Sequence, residues 1–152
     1  MTQPNMDMAD LEAIETMHAV TLEMDGGLPG YRDKGALESA LVRAQNRAYY
    51  SPNADLFELT AAVGYALIQN HPYNDGNKRT GALFTLTCLE RNGYSLPMHD
   101  NQLYTFFQSI AAGQLSEEKM ASFLRTHARK NELEQHRSPA LVQAVQHQGG
   151  QR

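Results

Sequence analysis

The chain has 152 residues, a net charge of -4 and a pI near 5.8. A general nucleic-acid binder needs a basic surface to neutralise phosphates, so this balance argues against direct nucleic-acid binding. With 41% hydrophobic and 20% charged residues, the composition is that of a globular protein with one core.

The cysteine content and the N-terminal sequence indicate the cellular compartment in which the protein acts. Cys88, the only cysteine, lies in an apolar run and cannot form an internal disulfide, which predicts a buried thiol in a reducing compartment. The first residues lack the basic and apolar regions of a secretory signal, and no apolar run is long enough to span a bilayer. We therefore expect a cytoplasmic protein that does not contact a membrane.

The elements in chain order predict an all-α fold. Apolar residues at helical spacing predict six helices, over residues 9–24, 35–48, 56–70, 79–92, 101–113 and 116–130. The third and fourth are apolar nearly all round, which indicates a central, buried, antiparallel pair. Small residues, including Gly64 and Gly81, would let the two helices approach closely.

Two segments fall outside this helical pattern. GGLPGYRD, residues 26–33, is rich in glycine and too polar for the core, which predicts an exposed hairpin or loop. Residues 131–152 are polar and rich in glutamine apart from ALVQAV. We therefore predict one domain over 1–130 and a polar tail over 131–152, in which ALVQAV could form a short docked helix.

The stretch HPYNDGNKRTG, residues 71–81, places a dense polar cluster between the two apolar helices. Its last residues begin a helix, and the free N–H groups and positive dipole end of a helix start bind phosphate. Gly76 lets a ligand approach the backbone, and Asn77, Lys78 and Arg79 add donors and charge. Cations at this helix end are unfavourable without an anion, so the cluster predicts a phosphate site.

Asp75 and His71 extend this site towards catalysis. A carboxylate beside phosphate is repulsive unless a divalent cation bridges the two, so Asp75 is a candidate ligand of Mg²⁺. His71 can accept a proton from a hydroxyl nucleophile near neutral pH. The set indicates phosphoryl or nucleotidyl transfer, although each part alone also fits a helix stop, a turn or solvated surface.

The same stretch resembles the signature of the Fic family, HxFx[D/E]GNxxR. Tyr73 replaces the usual phenylalanine, and the pattern matches at His71, Asp75, Gly76, Asn77 and Arg79. The upstream sequences GGLPGYRDKGALESALVRAQ and DLFELTAAVGYALIQNHP resemble the Doc (death-on-curing) branch. The resemblance covers roughly residues 10–130 and implies an all-α Fic-fold helical bundle with a central buried helix pair.

The resemblance also implies roles for these residues. His71 is similar to the general base that activates a target hydroxyl, Asp75 to the Mg²⁺ ligand, and residues 76–79 to the anion hole that binds ATP. The segment GGLPGYRD is similar to a flap that holds the target protein by strand addition, through Gly27, Leu28, Gly30 and Arg32. A surface ion pair between Arg32 and Asp33 is the alternative interpretation of those two residues.

Two departures from the family pattern bear on the reaction. AMP-transferring members carry glycine where this chain has Lys78 and a second arginine where it has Ala82, whereas Doc toxins share the lysine but carry alanine in place of Gly76. The Doc resemblance implies transfer of the γ-phosphate of ATP to elongation factor Tu. We therefore favour a protein kinase over a nucleotidyl (AMP) transferase, and a non-catalytic nucleotide-binding regulatory module is a further alternative.

The sequence contains no match to the family's inhibitory motif, [S/T]xxxE[G/N]. The nearest segment, residues 21–26, has Asp25 in place of the glutamate. We therefore expect inhibition in trans, by a Phd-like antitoxin whose helix binds a surface groove. Four aromatic residues could line that groove or could instead belong to the core, namely Tyr104, Phe106, Phe107 and Phe123.

Overall fold

The computed structural model describes residues 3–131, which form six α-helices and one small sheet. The helices are α1 (Leu11–Asp25), α2 (Lys34–Tyr50), α3 (Leu56–Gln69), α4 (Asn77–Arg91), α5 (Asp100–Ala111) and α6 (Glu117–His127). The strands are β1 (Tyr94–Ser95) and β2 (Arg129–Lys130). The all-α prediction is therefore confirmed. Within the described range, no helix has the length and apolar content needed to cross a bilayer.

The end of α6 differs from the prediction. The predicted sixth helix extends to residue 130, but α6 ends at His127 and Ala128 is already extended. Lys130 and Arg129 then pair antiparallel with Tyr94 and Ser95, so the sheet supplies the backbone partners that a longer helix would have supplied. The predicted tail lies outside the described residues, apart from Asn131.

The predicted central pair, α3 and α4, forms the middle of the fold. A Cβ atom at Gly81 would lie 2.5 Å from Cγ1 of Ile68 and 3.1 Å from the carbonyl oxygen of Gly64. These two glycines therefore set the close approach of the two helices, as the sequence predicts. Further along α4, Cys88 is fully buried with its Sγ 3.4 Å from Oγ1 of Thr60 on α3, and burial raises the pKa of its thiol.

The remaining helices cover the central pair. α2 and α6 pack on α3, α1 packs on α4, and α5 contacts both central helices. Phe84, Leu67 and Ile110 are among the largest fully buried side chains of the shared core. The loop between α3 and α4, which contains the signature, is left at one end of this core.

Four helices begin with a side chain that caps the first turn. Asp10, Asp33, Asp55 and Ser116 each accept a hydrogen bond from a backbone N–H in the first turn of α1, α2, α3 and α6 respectively. α4 differs, because it begins after Gly76, which has no side chain to act as a cap.

Candidate active site

A cavity of about 360 Å³ opens at the N-terminus of α4. Its wall contains the first residues of α4, the end of α1 and the start of the flap. The lining residues are Thr21, Asp25, Gly26, Gly27, Asp75, Gly76, Asn77, Lys78 and Arg79. Because α4 has no side-chain cap, the N–H groups of its first turn remain available to a ligand in this cavity.

The conformation of Gly76 explains why glycine begins this helix. Its φ of 80° lies in the left-handed region, which costs little for glycine alone. A Cβ atom there would lie 3.2 Å from Oγ1 of Thr21 and 3.5 Å from the ring of His18. The backbone therefore rests directly on α1.

Asn77 closes the signature loop on itself. Its Nδ2 donates to the carbonyl oxygen of Tyr73 at 2.9 Å, and its Oδ1 accepts from the N–H of Tyr73 at 2.9 Å. The side chain is 8% exposed, so the loop, rather than a ligand, uses both ends of the amide. Asn77 can still offer its backbone N–H to an anion.

The two predicted phosphate-binding cations have protein partners. Arg79 forms an exposed ion pair with Asp25, the last residue of α1. Lys78 donates from Nζ to Oε1 of Gln108 at 2.6 Å, and the same ammonium lies 4.6 Å from the ring centroid of Tyr104. Asp25 thus binds the Arg79 guanidinium where an anionic ligand would bind. This ion pair is exposed to solvent, and ion pairs of that kind are weak.

Asp75 lies on the cavity wall next to the flap. Its Oδ2 accepts a hydrogen bond from the N–H of Leu28 at 2.7 Å. Gly27 has a φ of 125°, and a Cβ atom there would lie 3.1 Å from Cβ of Asp75, so glycine is needed for this approach. One carboxylate beside a cavity suited to phosphate is a donor set that fits Mg²⁺, which completes its coordination with water and phosphate oxygens.

His71 lies at the other end of the loop and is not part of the cavity wall. It is exposed and has a φ of 48°, an unusual value for a residue other than glycine. Arg32 supports this conformation by donating to the carbonyl oxygens of His71 at 2.7 Å and of Asn70 at 2.6 Å. The alternative ion pair between Arg32 and Asp33 is wrong, since Asp33 instead caps α2.

The flap is a loop that pairs with the signature loop. Tyr31 and Tyr73 form an isolated antiparallel bridge, in which Arg32 N–H donates to the Pro72 carbonyl at 2.8 Å and Asn74 N–H to the Gly30 carbonyl at 3.0 Å. In this pattern the bridge residues are a non-hydrogen-bonded pair, so the N–H and C=O of Tyr31 point away from Tyr73. They form a backbone edge that a further strand could join.

Several residues near the site have contacts that the sequence did not predict. His18 and Tyr31 both stack on Tyr73, and the Tyr31 hydroxyl donates to Glu15. Burial, and then this bond to the Glu15 carboxylate, raises the pKa of Tyr31 well above its ordinary value. The sequence places His18 on the apolar face of α1, and this position was the available signal that it is buried near the site. The positions of Asp25, Gln108 and Tyr104 beside the site depend on the fold and could not be predicted from the sequence.

The chain belongs to the Fic/DOC family, whose model matches residues 8–89. Among its relatives is a protein of Escherichia phage P1 named Protein kinase doc, 34% identical over 114 residues, which are 75% of this chain and 90% of the relative. Another, from Mycolicibacterium smegmatis, is named Toxin Doc and is 38% identical over 72 residues, 47% of this chain and 55% of the relative. The resemblance to the Doc branch is thereby confirmed.

The family match covers α1 to α3 and all but the last two residues of α4, and therefore every predicted site residue. The fold brings residues 75–79 and Gly27 together around one cavity. The backbone N–H of Leu28 donates a hydrogen bond to the Asp75 carboxylate. His71, Gly30 and Arg32 lie beside the cavity wall, in the paired flap and signature loops. The roles assigned to these residues in catalysis, phosphate binding and target binding stay predictions.

Proposed function

We propose that this protein is a Doc-type toxin that transfers the γ-phosphate of ATP to a hydroxyl group of a target protein, and that this target is elongation factor Tu. The observation that carries the proposal is the uncapped N-terminus of α4, which opens on a cavity between Asp75 and Arg79. The relative named Protein kinase doc supports the choice of reaction. The cytoplasm is the proposed site of action.

In the proposed reaction, the target hydroxyl oxygen bonds to the γ-phosphorus and the bond from that phosphorus to the β–γ bridging oxygen breaks. His71 accepts the hydroxyl proton, and ADP leaves. The N–H groups at the start of α4 and the Arg79 guanidinium bind phosphate oxygens after Arg79 separates from Asp25. Asp75 would hold a Mg²⁺ ion, which supplies charge neutralisation for the phosphates.

The flap positions the target in this proposal. The outward N–H and C=O of Tyr31 pair with an extended segment of the target, in the manner of strand addition. Arg32 connects that edge to the catalytic loop, because its side chain bonds to the carbonyl oxygen of His71. In this proposal the backbone of residues 27–31 binds the target, and the Arg32 side chain supports His71, the general base.

Nucleotidyl transfer is the second candidate. The Lys78 ammonium is drawn towards α5 by Gln108 and Tyr104, and Gly76 presents no side chain at the start of α4. Both features leave room for the inner phosphates of a nucleotide bound in the opposite orientation to that needed for γ-phosphate transfer.

Labelled ATP separates these candidates. Purified protein and elongation factor Tu are incubated with Mg²⁺ and ATP labelled at either the α or the γ position. We expect label on the target from the γ position only, and label from the α position alone would establish nucleotidyl transfer instead. Binding of ATP without either label would favour the non-catalytic module.

His71→Ala provides the matched catalytic control. We expect transfer to fall about a thousandfold, within the range for loss of a general base, while ATP affinity stays near that of the wild type because His71 is not in the cavity wall. A thermal melt of the variant checks the fold. Unchanged transfer or unchanged cellular toxicity would contradict the assigned role.

A Phd-like antitoxin is the proposed partner in trans. Phe106 and Phe107 are buried in the core, but Phe123 is half-buried and lines, with Phe106, a groove of about 540 Å³ between α5 and α6. We propose that an amphipathic antitoxin helix occupies this groove. Thr105→Lys, which adds a charge to the groove wall, should weaken co-purification with a co-expressed Phd-like antitoxin, whereas Ser122→Lys outside the groove should not.

A further inference from the structure

His18 is a buried histidine directly beneath the signature loop. Its Nε2 lies 2.8 Å from the carbonyl oxygen of Asp75, and the residue is only 6% exposed. A carbonyl oxygen can only accept, so Nε2 carries the hydrogen and donates it. The ring also stacks on Tyr73, with centroids 3.5 Å apart and planes 8° apart. These two contacts hold the imidazole in one orientation.

The hydrogen bond from His18 fixes the direction of the Asp75–Gly76 peptide. This peptide is trans, so its C=O and N–H point in opposite directions. With the carbonyl directed at His18, the Gly76 N–H points away from α1. Within residues 3–131 that N–H has no hydrogen-bond acceptor, and Gly76 is part of the cavity wall.

Glycine at position 76 makes such an anchor necessary. Its φ of 80° and ψ of 12° match the third residue of a type II turn. Reversal of the preceding peptide converts a type II turn into a type I turn, and glycine tolerates both. The backbone alone therefore does not determine which way the Asp75–Gly76 peptide faces, whereas the bond from His18 does.

We propose that His18 is a positioning residue for the phosphate site. By binding the Asp75 carbonyl on the α1 side, it turns the Gly76 N–H outward, where that group joins the N–H groups of α4 as an anion donor. The same bond keeps the partial negative charge of the carbonyl oxygen away from an incoming phosphate. The proposal rests on the proposed function in one respect, that the anion is the polyphosphate of a nucleotide.

A pair of variants separates positioning from packing. His18→Phe keeps an aromatic ring on Tyr73 but cannot donate, whereas His18→Gln carries an amide N–H close to the place of Nε2. Calorimetric titration with Mg²⁺–ATP should give affinity about tenfold weaker for His18→Phe, the scale of one hydrogen bond to a charged group, and close to wild type for His18→Gln. Equal losses in both variants, with equal falls in melting temperature, would mean a packing role only and overturn the proposal.

The crystal structure of His18→Phe provides a readout that does not depend on the nucleotide. We expect the Asp75–Gly76 peptide to be reversed, with the Asp75 carbonyl oxygen facing the cavity. An unchanged peptide in the folded variant would overturn the positioning role. If the wild-type protein does not bind Mg²⁺–ATP, the proposed function fails, and the orientation of this peptide still decides whether His18 positions it.

Discussion

The two central helices begin in opposite ways. At the start of α3, Asp55 accepts from the N–H of Glu58 at 2.8 Å and Glu58 bonds back to the N–H of Asp55, so a capping box closes the helix end. Arg125 adds a bond to Asp55 at 2.8 Å. At the start of α4, Gly76 offers no cap, and two cations follow.

This contrast separates stability from ligand binding. At the start of α3 the N–H groups of Asp55 and Glu58 are bonded within the protein, whereas the N–H groups at the start of α4 open on a cavity, next to charges that raise the local positive potential. An uncapped and positively charged helix end is a local conflict that a bound anion resolves. Changes at the two ends should therefore affect different measurements, and four substitutions or conditions test this.

The largest expected effect is that of Arg79→Ala on nucleotide binding. Loss of a guanidinium fork to phosphate should weaken Mg²⁺–ATP affinity about 100-fold by calorimetry. The free energy of unfolding should change by no more than about 1 kcal/mol, because the ion pair with Asp25 is exposed. Arg91→Ala, at the other end of α4, is the control that should leave affinity unchanged, and a similar loss there would indicate a general charge effect.

Asp55→Ala should act on stability alone. Loss of a helix cap typically costs about 1 kcal/mol, so urea unfolding should show a decrease of that size with no change in Mg²⁺–ATP affinity. Asp55→Asn keeps a capping side chain but loses the charge facing Arg125, and it should recover most of the loss. A fall in nucleotide affinity in either variant would show that the start of α3 also contributes to ligand binding, which contradicts this prediction.

Asp25→Asn should strengthen nucleotide binding modestly. The substitution removes the carboxylate that competes for Arg79, and an exposed ion pair contributes up to about 1 kcal/mol, so affinity should rise about threefold to fivefold. Glu23→Gln removes the same charge from the same helix without an ion pair among the described residues. An equal gain in both variants would assign the effect to net charge instead of to release of Arg79.

The smallest effect is a pH dependence at the capped end. Partial burial of Asp55 opposes ionisation, but bonds from Arg125 and from backbone N–H groups outweigh it and lower the pKa of Asp55. Its contribution to stability is therefore complete above about pH 4, the ordinary value of an aspartate, and is lost as pH falls through the lower folded pKa. The difference in unfolding free energy between wild type and Asp55→Asn should accordingly disappear on acidification, and a difference that persists would contradict this.

Local patterns in the sequence predicted much of this molecule. Helix positions followed from apolar spacing, the central pair from its continuous apolar runs, and the tight contact from Gly64 and Gly81. The conflict between cations and a helix N-terminus indicated a ligand site at the start of α4, where the structure has a cavity, and its binding of phosphate stays a prediction. These features depend on residues that are neighbours in the chain.

Contacts between distant segments could not be predicted in this way. The bond from His18 to Asp75 joins residues 57 positions apart, and the bonds from Arg32 join it to residues near 70. The end of α6 was also missed, because pairing of β2 with β1 depends on where α4 ends. Each of these contacts depends on how distant segments pack together, so its partners cannot be inferred from neighbouring residues in the chain.

Arg32 gives the flap and the signature loop a shared mechanical response. The side chain holds the last carbonyl groups after α3, and its backbone N–H bonds to the Pro72 carbonyl, so three bonds connect one flap residue to the segment around His71. A force that pulls the flap outward therefore acts on the catalytic segment as well. Under the proposed function, the flap and His71 would therefore move as one tethered unit, and the distance between them would determine which target residue reaches His71.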